Sequence, residues 1–486
     1  MCSNDFRAVR VAVVGAGFGG ICAALRLRAA GHREVTVFDA RDGAGGTWAA
    51  NRYPGVACDA PSHVYSYSFT EPPAWSRRFA PGAEIRGYLE RCAAGLTLRT
   101  GTAVTAATWS GRDWLLRLGD GTAERFDVLV AATGQLAVPA VPPLPGLAEF
   151  GGRVLHTADW PDDFDPTGRR IAVVGTGASA VQLIPELARR AAALTVVQRS
   201  APYVLPKPDV PYRVRALHRR FPAVRRATRA ALWAGLEAMT LGFWRWPALL
   251  RPIERAHART LRRTVADPAL RAALTPADRA GCKRILMADG YHAALTRPHV
   301  TLVTAPIAAV EPGAVRTAAG RHPADTLVFA TGFDTGGFAT TLDITGRTGA
   351  TLAEQWAGGA RAHLGLTVPG FPNLFLVYGP NTNLGSGSIV FMLETQAAHI
   401  AAAVTRLAAA PPGSALEVTE TAFARWSRLL DRRFARPLAW NSGCLSWYRD
   451  AAGRDAHNWP GALIEYRLRA RRPRKRDYRL LSPPPG

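Results

Sequence analysis

Twice along the chain a continuous apolar run stops at a glycine-rich turn and passes into a helical period. The first reads Val11-Ala-Val-Val-Gly15-Ala-Gly17-Phe-Gly-Gly20 and continues with helix spacing from Ile21 to Ala29. The second reads Ile171-Ala-Val-Val-Gly175-Thr-Gly177-Ala-Ser-Ala180 and continues from Val181 to Arg190. Apolar runs without alternation predict strands buried on both faces, as in parallel sheets covered by helices. Both turns match G-x-G-x-x-G/A in the strand–turn–helix context that this fingerprint requires. The first glycine permits the tight turn and the second lets the backbone approach a pyrophosphate. The third position, Gly20 or Ala180, lets helix and strand pack closely. Free N–H groups at the helix start then face the phosphates.

Gly15 and Gly175 lie 160 residues apart, and the same offset carries further. The strand Glu34-Val-Thr-Val-Phe-Asp39 maps onto Leu194-Thr-Val-Val-Gln-Arg199, so Asp39 falls on Arg199. A carboxylate there accepts ribose hydroxyls and repels a 2′-phosphate; an arginine fork does the reverse. The first unit is therefore expected to hold FAD and the second NADPH, with Ser200, Lys207 and Lys283 as further phosphate candidates. A second repeat, D-x-L-V-x-A-T-G, occurs at Asp127–Gly134 and again at Asp325–Gly332. Each copy reads as a late strand of a nucleotide-binding unit.

The expected fold class is α/β, with two Rossmann-like dinucleotide-binding domains and a helical insertion. The FAD-binding domain takes residues 1–140 and 335–486, the second segment including the C-terminal region. Residues 141–164 read as a linker, 165–205 and 281–334 as the NADPH-binding domain, and 206–280 as the insertion. Thirteen arginines fall between Arg213 and Arg263, around the apolar stretch Ala231–Trp244. That stretch is too short and too interrupted by Glu237, Arg245 and Pro247 to span a bilayer. It reads as a helical cover over the active site, or as an interfacial helix with basic flanks in peripheral contact with a membrane.

The net charge of +23 comes almost wholly from arginine. It suits a solvated basic surface that attracts anionic cofactors, and no nucleic-acid module accompanies it, so no nucleic-acid partner is expected. The six cysteines, Cys2, Cys22, Cys58, Cys92, Cys282 and Cys444, form no C-x-x-C pair. They suggest neither a disulfide framework nor a metal site, and a reducing, cytoplasmic setting is expected. The start, Met1 to Phe6, lacks the basic and apolar regions of an export signal.

The segment Phe150-Gly-Gly152-Arg-Val-Leu-His156-Thr-Ala-Asp-Trp160-Pro161 fits F-x-G-x-x-x-H-x-x-x-W-P. With it the chain resembles the Baeyer–Villiger flavin monooxygenases. Similar stretches are Gly45-Gly-Thr47-Trp48, Asn51-Arg-Tyr53-Pro-Gly55, Cys58-Asp59-Ala60-Pro-Ser-His63, Gly281-Cys-Lys283-Arg284 and Gly379-Pro-Asn381-Thr-Asn-Leu-Gly385. Asn441–Tyr448 and His457-Asn-Trp459-Pro-Gly461 complete the set. The cyclohexanone-type enzymes carry an acidic residue soon after the aspartate. Here Ala60 to His63 follow Asp59, closer to the 4-hydroxyacetophenone-monooxygenase-like branch.

The resemblance implies a reaction and roles. NADPH reduces FAD, and a C4a-peroxyflavin formed with O2 inserts one oxygen beside the carbonyl of a hydrophobic small-molecule ketone, giving an ester or lactone. Arg284 supplies the fixed positive charge and Asp59 orients it. Lys283 contacts the NADPH phosphate. Thr47, Trp48, Tyr53, Asp59 and Asn381 belong near the flavin, although a helix N-cap explains Asn381 nearly as well. His156 couples domain movement to the flavin site. Cys58 and Cys282 read as packing residues. Three alternatives stay open: oxygenation of nitrogen or sulfur, a non-oxygenating flavoprotein reductase, which the lack of C-x-x-C opposes, and a non-enzymatic flavoprotein sensor.

Overall fold

Each glycine-terminated apolar run becomes the middle strand of its own five-stranded parallel sheet. The computed structural model describes residues 7–213, 215–335, 338, 342–441, 448 and 453–482. The first sheet orders its strands Leu374–Leu376, Val128–Ala131, Val11–Val14, Val35–Phe38 and Thr97–Arg99. The second orders them Arg153–His156, Thr326–Phe329, Arg170–Val174, Ala193–Val197 and Val300–Val303. Equivalent strands take equivalent places, so both sequence repeats lie side by side in each sheet. Val11–Val14, Val128–Ala131 and Thr326–Phe329 are buried along their whole length. Each fully buried Val or Leu contributes about 1.5–3 kcal/mol, which fixes these strands at the centre of the core.

The aspartate that opens each D-x-L-V-x-A-T-G copy has a structural task. Asp127 Oδ2 accepts from Arg10 N at 2.8 Å, and Asp325 Oδ2 accepts from Arg170 N at 2.9 Å. Each carboxylate caps the residue that leads into the neighbouring central strand, setting the register of the pair.

Residues 141–164, expected as a linker, contain the edge strand of the second sheet, Arg153–His156. Gly152 makes the approach possible, since a Cβ on it would lie 2.1 Å from Asp325 O. The short segments Val138–Pro139 and Phe333–Asp334, where the chain passes between the units, pair antiparallel.

The insertion is helical, with helices at Arg215–Arg220, Pro222–Trp244, Arg251–Thr264 and Pro268–Ala273. Prolines sit in the first turn of the last three, where a missing N–H costs nothing. The long helix docks on the first unit. Glu237 accepts from the backbone N–H groups of Leu463 and Ile464 at 3.0 and 3.2 Å. Gly385 lies so close to Phe243 that a Cβ would approach its ring to 2.6 Å. No helix among the described residues is long and apolar enough to cross a membrane.

Candidate active site

The two glycine turns have the same local geometry. Gly15 has φ +111° and Gly175 φ +112°, a region that disfavours any side chain. A Cβ would lie 2.4 Å from Ala132 O at the first and 2.5 Å from Ala330 O at the second. Those alanines precede Thr133 and Thr331, so the end of each D-x-L-V-x-A-T-G copy presses against its glycine turn. A Cβ on Gly20 would meet Gly15 O at 1.8 Å, whereas Ala180 carries its methyl fully buried.

Around the first turn the residues fit FAD. Gly46 crosses Gly17, with space for no Cβ before the Gly17 Cα at 2.7 Å, and brings Thr47 and Trp48 over the turn at the start of the short helix Thr47–Ala50. Trp48 Nε1 donates to the hydroxyl of Tyr65 at 3.2 Å. Asp39 accepts from Ala16 N at 2.7 Å and from Arg41 N at 2.9 Å. These bonds fix the carboxylate at the end of its strand, and a carboxylate has lone pairs left for ribose hydroxyls.

Around the second turn stand three of the residues expected to meet a phosphate. Arg199 stands exposed just past Ala193–Val197 and makes no ion pair with the described residues. Ser200 O accepts from Thr176 Oγ1 in the glycine turn at 3.1 Å, and Lys283 Nζ donates to Ser200 Oγ at 3.0 Å. Asp278 holds the same ammonium at 2.8 Å. The Lys207 ammonium lies 5.3 Å from the Phe79 ring centroid, on the first unit.

Arg284 and Asp59, 225 positions apart, meet directly. One nitrogen, Nη2, donates to both carboxylate oxygens, at 2.7 and 2.6 Å. The Asp59 charge raises the guanidinium above its ordinary value, outweighing the opposing effect of burial. Half of the Arg284 side chain remains accessible. Its charge also acts on the buried phenols of Tyr448 and Tyr378. Burial pushes Tyr378 up to about 12, and its hydroxyl donates to Asn383 Oδ1 at 2.6 Å.

Tyr65 and Tyr378 were not candidates from sequence, because single aromatics look like core residues. Tyr378 directly precedes Gly379-Pro380-Asn381, and its positive φ of 62° is the structural sign of a special position. Tyr53 sits in the core of the second unit and donates to Gln182 Oε1 at 3.0 Å, near enough to Asp59 and Arg284 to feel both charges. It joins the two units at the site.

Asn381 takes a positive φ of 56° and its amide donates to the carbonyls of Asp455 and Asn458 at 2.9 and 3.2 Å. It ties the turn to the C-terminal segment, and the cap position of the following helix, Ile389–Ala408, is Ser388. The N-cap explanation of Asn381 therefore fails. Both side-chain N–H donors of Asn381 are thus engaged within the protein.

The fingerprint residues pack within the second unit and against the crossing segment. Phe150 packs with Leu327 and Phe329, and Trp160 meets Phe164 edge to face at 5.3 Å, with Pro161 following. His156 ends the edge strand, accepts from Ala158 N at 3.0 Å and faces Phe333 of the crossing segment at 6.1 Å. Burial lowers its pKa below the usual imidazole value.

Cys58 is buried and its sulfur accepts from Ala60 N at 3.3 Å. Cys282 is disulfide-bonded, which corrects its reading as a packing thiol; spacing rules detect only pairs close in sequence. Cys22, Cys58 and Cys92 are free, while Cys2, Cys444 and most of the Asn441–Tyr448 motif lie outside the described residues.

The family model of the pyridine nucleotide-disulphide oxidoreductases matches residues 9–220. A Baeyer-Villiger monooxygenase of Streptomyces coelicolor is 41% identical, covering 98% of this chain and 94% of its own. One of Pseudomonas aeruginosa is 38% identical over 98% and 92%. Among solved structures, an oxidized steroid monooxygenase bound to NADP is similar with a TM-score of 0.86 and 32% identity, covering 98% of this chain and 99% of the other.

Proposed function

Since the chain belongs to the Baeyer–Villiger monooxygenases, enzymes that consume NADPH and O2, we propose that Arg284 and Asp59 form its reaction centre and that its substrate is a hydrophobic ketone. The observation that carries this reading is the double contact of Arg284 Nη2 with the Asp59 carboxylate. The overall reaction balances as ketone, O2, NADPH and a proton giving ester or lactone, water and NADP+.

FAD belongs on the first turn, with Gly15, Gly17 and Gly20 giving the backbone approach, Asp39 the ribose contact, and Thr47 and Trp48 the cover. NADPH belongs on the second, with Gly175, Gly177 and Ala180 at the pyrophosphate and Arg199, Ser200 and Lys283 at the 2′-phosphate. Bound FAD supplies hydride acceptance and oxygen activation. The protein's part is electrostatic. Asp59 holds the Arg284 guanidinium in place and charged, and the accessible half of that side chain faces negative charge as it develops on the substrate oxygen. A preformed cation does this without reorganising at the moment of reaction. Tyr53 and His156 link the second unit to this centre, so movement of the nicotinamide side is felt at Asp59.

The test is product analysis with labelled dioxygen on the FAD-loaded enzyme, comparing aryl and alicyclic ketones with sulfides and tertiary amines. Label in an ester or lactone supports the reading. Label only in sulfoxides or N-oxides replaces it with heteroatom oxygenation. The insertion also exposes Phe221, Trp246 and Leu249 among its arginines, which supports peripheral contact with an anionic bilayer. Salt-sensitive pelleting with anionic vesicles tests that contact.

A further inference from the structure

One cavity is lined by neither glycine turn and by neither Arg284 nor Asp59. It opens between the long insertion helix Pro222–Trp244, the segment 62–75 of the first unit and the start of the helix Ile389–Ala408. Its volume is about 820 Å³, inside the range of about 300–1,000 Å³ that small-molecule sites occupy. None of the residues assigned above to FAD, NADPH or the reaction centre lines it.

The walls have two characters. Trp75, Trp233 and Phe391 give it an apolar surface. Four arginines line it as well: Arg225, Arg226, Arg229 and Arg467. Arg229 is already answered, by Glu394 at 3.8 Å and by the carbonyl of His63 at 2.9 Å. Glu394 is in turn engaged by the backbone and hydroxyl of Ser68. Arg225, Arg226 and Arg467 have no carboxylate within 4.0 Å among the described residues. With Glu71 and Glu394 as the acids of the lining, four positive charges against two negative leave a net charge of +2.

Three buried polar atoms of the lining residues are unpaired. Ser388 is 5% exposed, and its hydroxyl has no hydrogen-bond partner. His63 Nδ1 and Trp233 Nε1 are buried in the same condition. Surplus positive charge beside an apolar wall describes a site for a molecule that joins a negative charge to an apolar body.

We propose that this cavity binds an amphipathic anion, an apolar chain or ring system ending in a carboxylate or phosphate. The anionic end is held by Arg225, Arg226 and Arg467, and the apolar body lies against Trp233, Phe391 and Trp75. The site is auxiliary to the reaction centre and contacts two segments that lead to it. Ser62 follows Asp59 by three residues, and Ser388 caps the helix that follows the Gly379–Gly385 turn.

The experiment is calorimetric titration of the FAD-loaded enzyme, without NADPH, using monomeric dodecanoate, dodecyl phosphate and dodecanol. Saturable binding of one or both anions, one per chain and at least tenfold tighter than dodecanol, is expected, and the stronger of the two identifies the head group. The triple variant Arg225→Gln/Arg226→Gln/Arg467→Gln weakens the anions at least tenfold. Trp233→Ala weakens all three probes. Arg284→Ala, with its flavin spectrum intact, leaves the affinities within twofold, so failure of the reaction-centre assignment does not affect this result. Absence of saturable anion binding, equal affinity for dodecanol, or loss of binding in Arg284→Ala overturns the proposal. So does binding of anionic vesicles without binding of monomeric dodecanoate, which assigns the arginines to a lipid surface.

Discussion

Lys283 Nζ donates to Ser200 Oγ at 3.0 Å, joining two segments that are 83 residues apart beside the second glycine turn. The contact gathers an ammonium, a hydroxyl and the exposed guanidinium of Arg199 at one strand end. NADPH differs from NADH only by the 2′-phosphate such a cluster would hold. Arg199→Ala should therefore raise KM for NADPH about tenfold or more and leave KM for NADH nearly unchanged, since a charge-assisted bond is worth about 1.5–3 kcal/mol. Steady-state kinetics with both coenzymes checks it; equal effects on the two would place Arg199 outside the phosphate site.

Arg284→Ala removes the charge that Asp59 holds in place. Ester formation should fall by about 10²–10³, the usual cost of losing a preorganised charge at a reacting oxygen. NADPH oxidation should continue and end in hydrogen peroxide. The ratio of ester formed to NADPH consumed is the measurement, and a ratio like that of the parent enzyme contradicts the assignment.

The glycine turns predict opposite tolerance at two positions. Gly20→Ala places a Cβ 1.8 Å from Gly15 O, so the first turn must open and the protein should be isolated without FAD. Gly177→Ala meets nothing within 4 Å and its φ is ordinary at −76°. That variant should keep FAD and its melting temperature, and any loss should appear only in NADPH affinity. Flavin content and thermal melting of the two proteins decide this.

Acid should destabilise the fold through buried imidazoles. His399 is fully buried, with Nδ1 bonded to the carbonyl of Ala470 at 2.8 Å and Nε2 to the Tyr478 hydroxyl at 2.9 Å. The neutral ring donates to the carbonyl and accepts from the phenol, and burial lowers its pKa to about 4. His292 is lowered to about 4 in the same way. The unfolded chain then binds more protons than the folded one between about 6.5 and 4. Stability is whole above that window and lost as pH falls through it, by up to about 1.4 kcal/mol per pH unit for each group. Melting temperatures between pH 7.5 and 5 should fall steeply in the parent and less steeply in His399→Gln.

What sequence made legible follows from range. The two nucleotide units are local patterns, each contained in a few tens of residues, and their repetition identified the equivalent positions Asp39 and Arg199. The Asp59–Arg284 contact joins points 225 residues apart, which no spacing rule spans; only the family resemblance brought them together. The edge strand Arg153–His156 was hidden because its two ends, Phe150-Gly-Gly and Trp160-Pro161, read as linker. Tyr65 and Tyr378 were hidden for a different reason: a phenol that serves a site and one that fills a core look the same until its neighbours are known. Cys282 misled because a count of spacings registers only close C-x-x-C pairs.

The first sheet is closed by Leu374–Leu376, encoded after the whole of the second sheet, whose strands all lie between Arg153 and Phe329. During synthesis the ribosome therefore releases a complete second unit while the first still lacks its fifth strand and the helix Ile389–Ala408 that covers it. The usual order, in which the N-terminal domain is finished first, is reversed. The glycine turn nearest the N-terminus, ending at Gly20, must wait for 356 further residues, to Leu376, before its sheet is whole, and for the last 245 of them, from Ala131 on, the nascent chain carries an open, apolar parallel edge at Val128–Ala131.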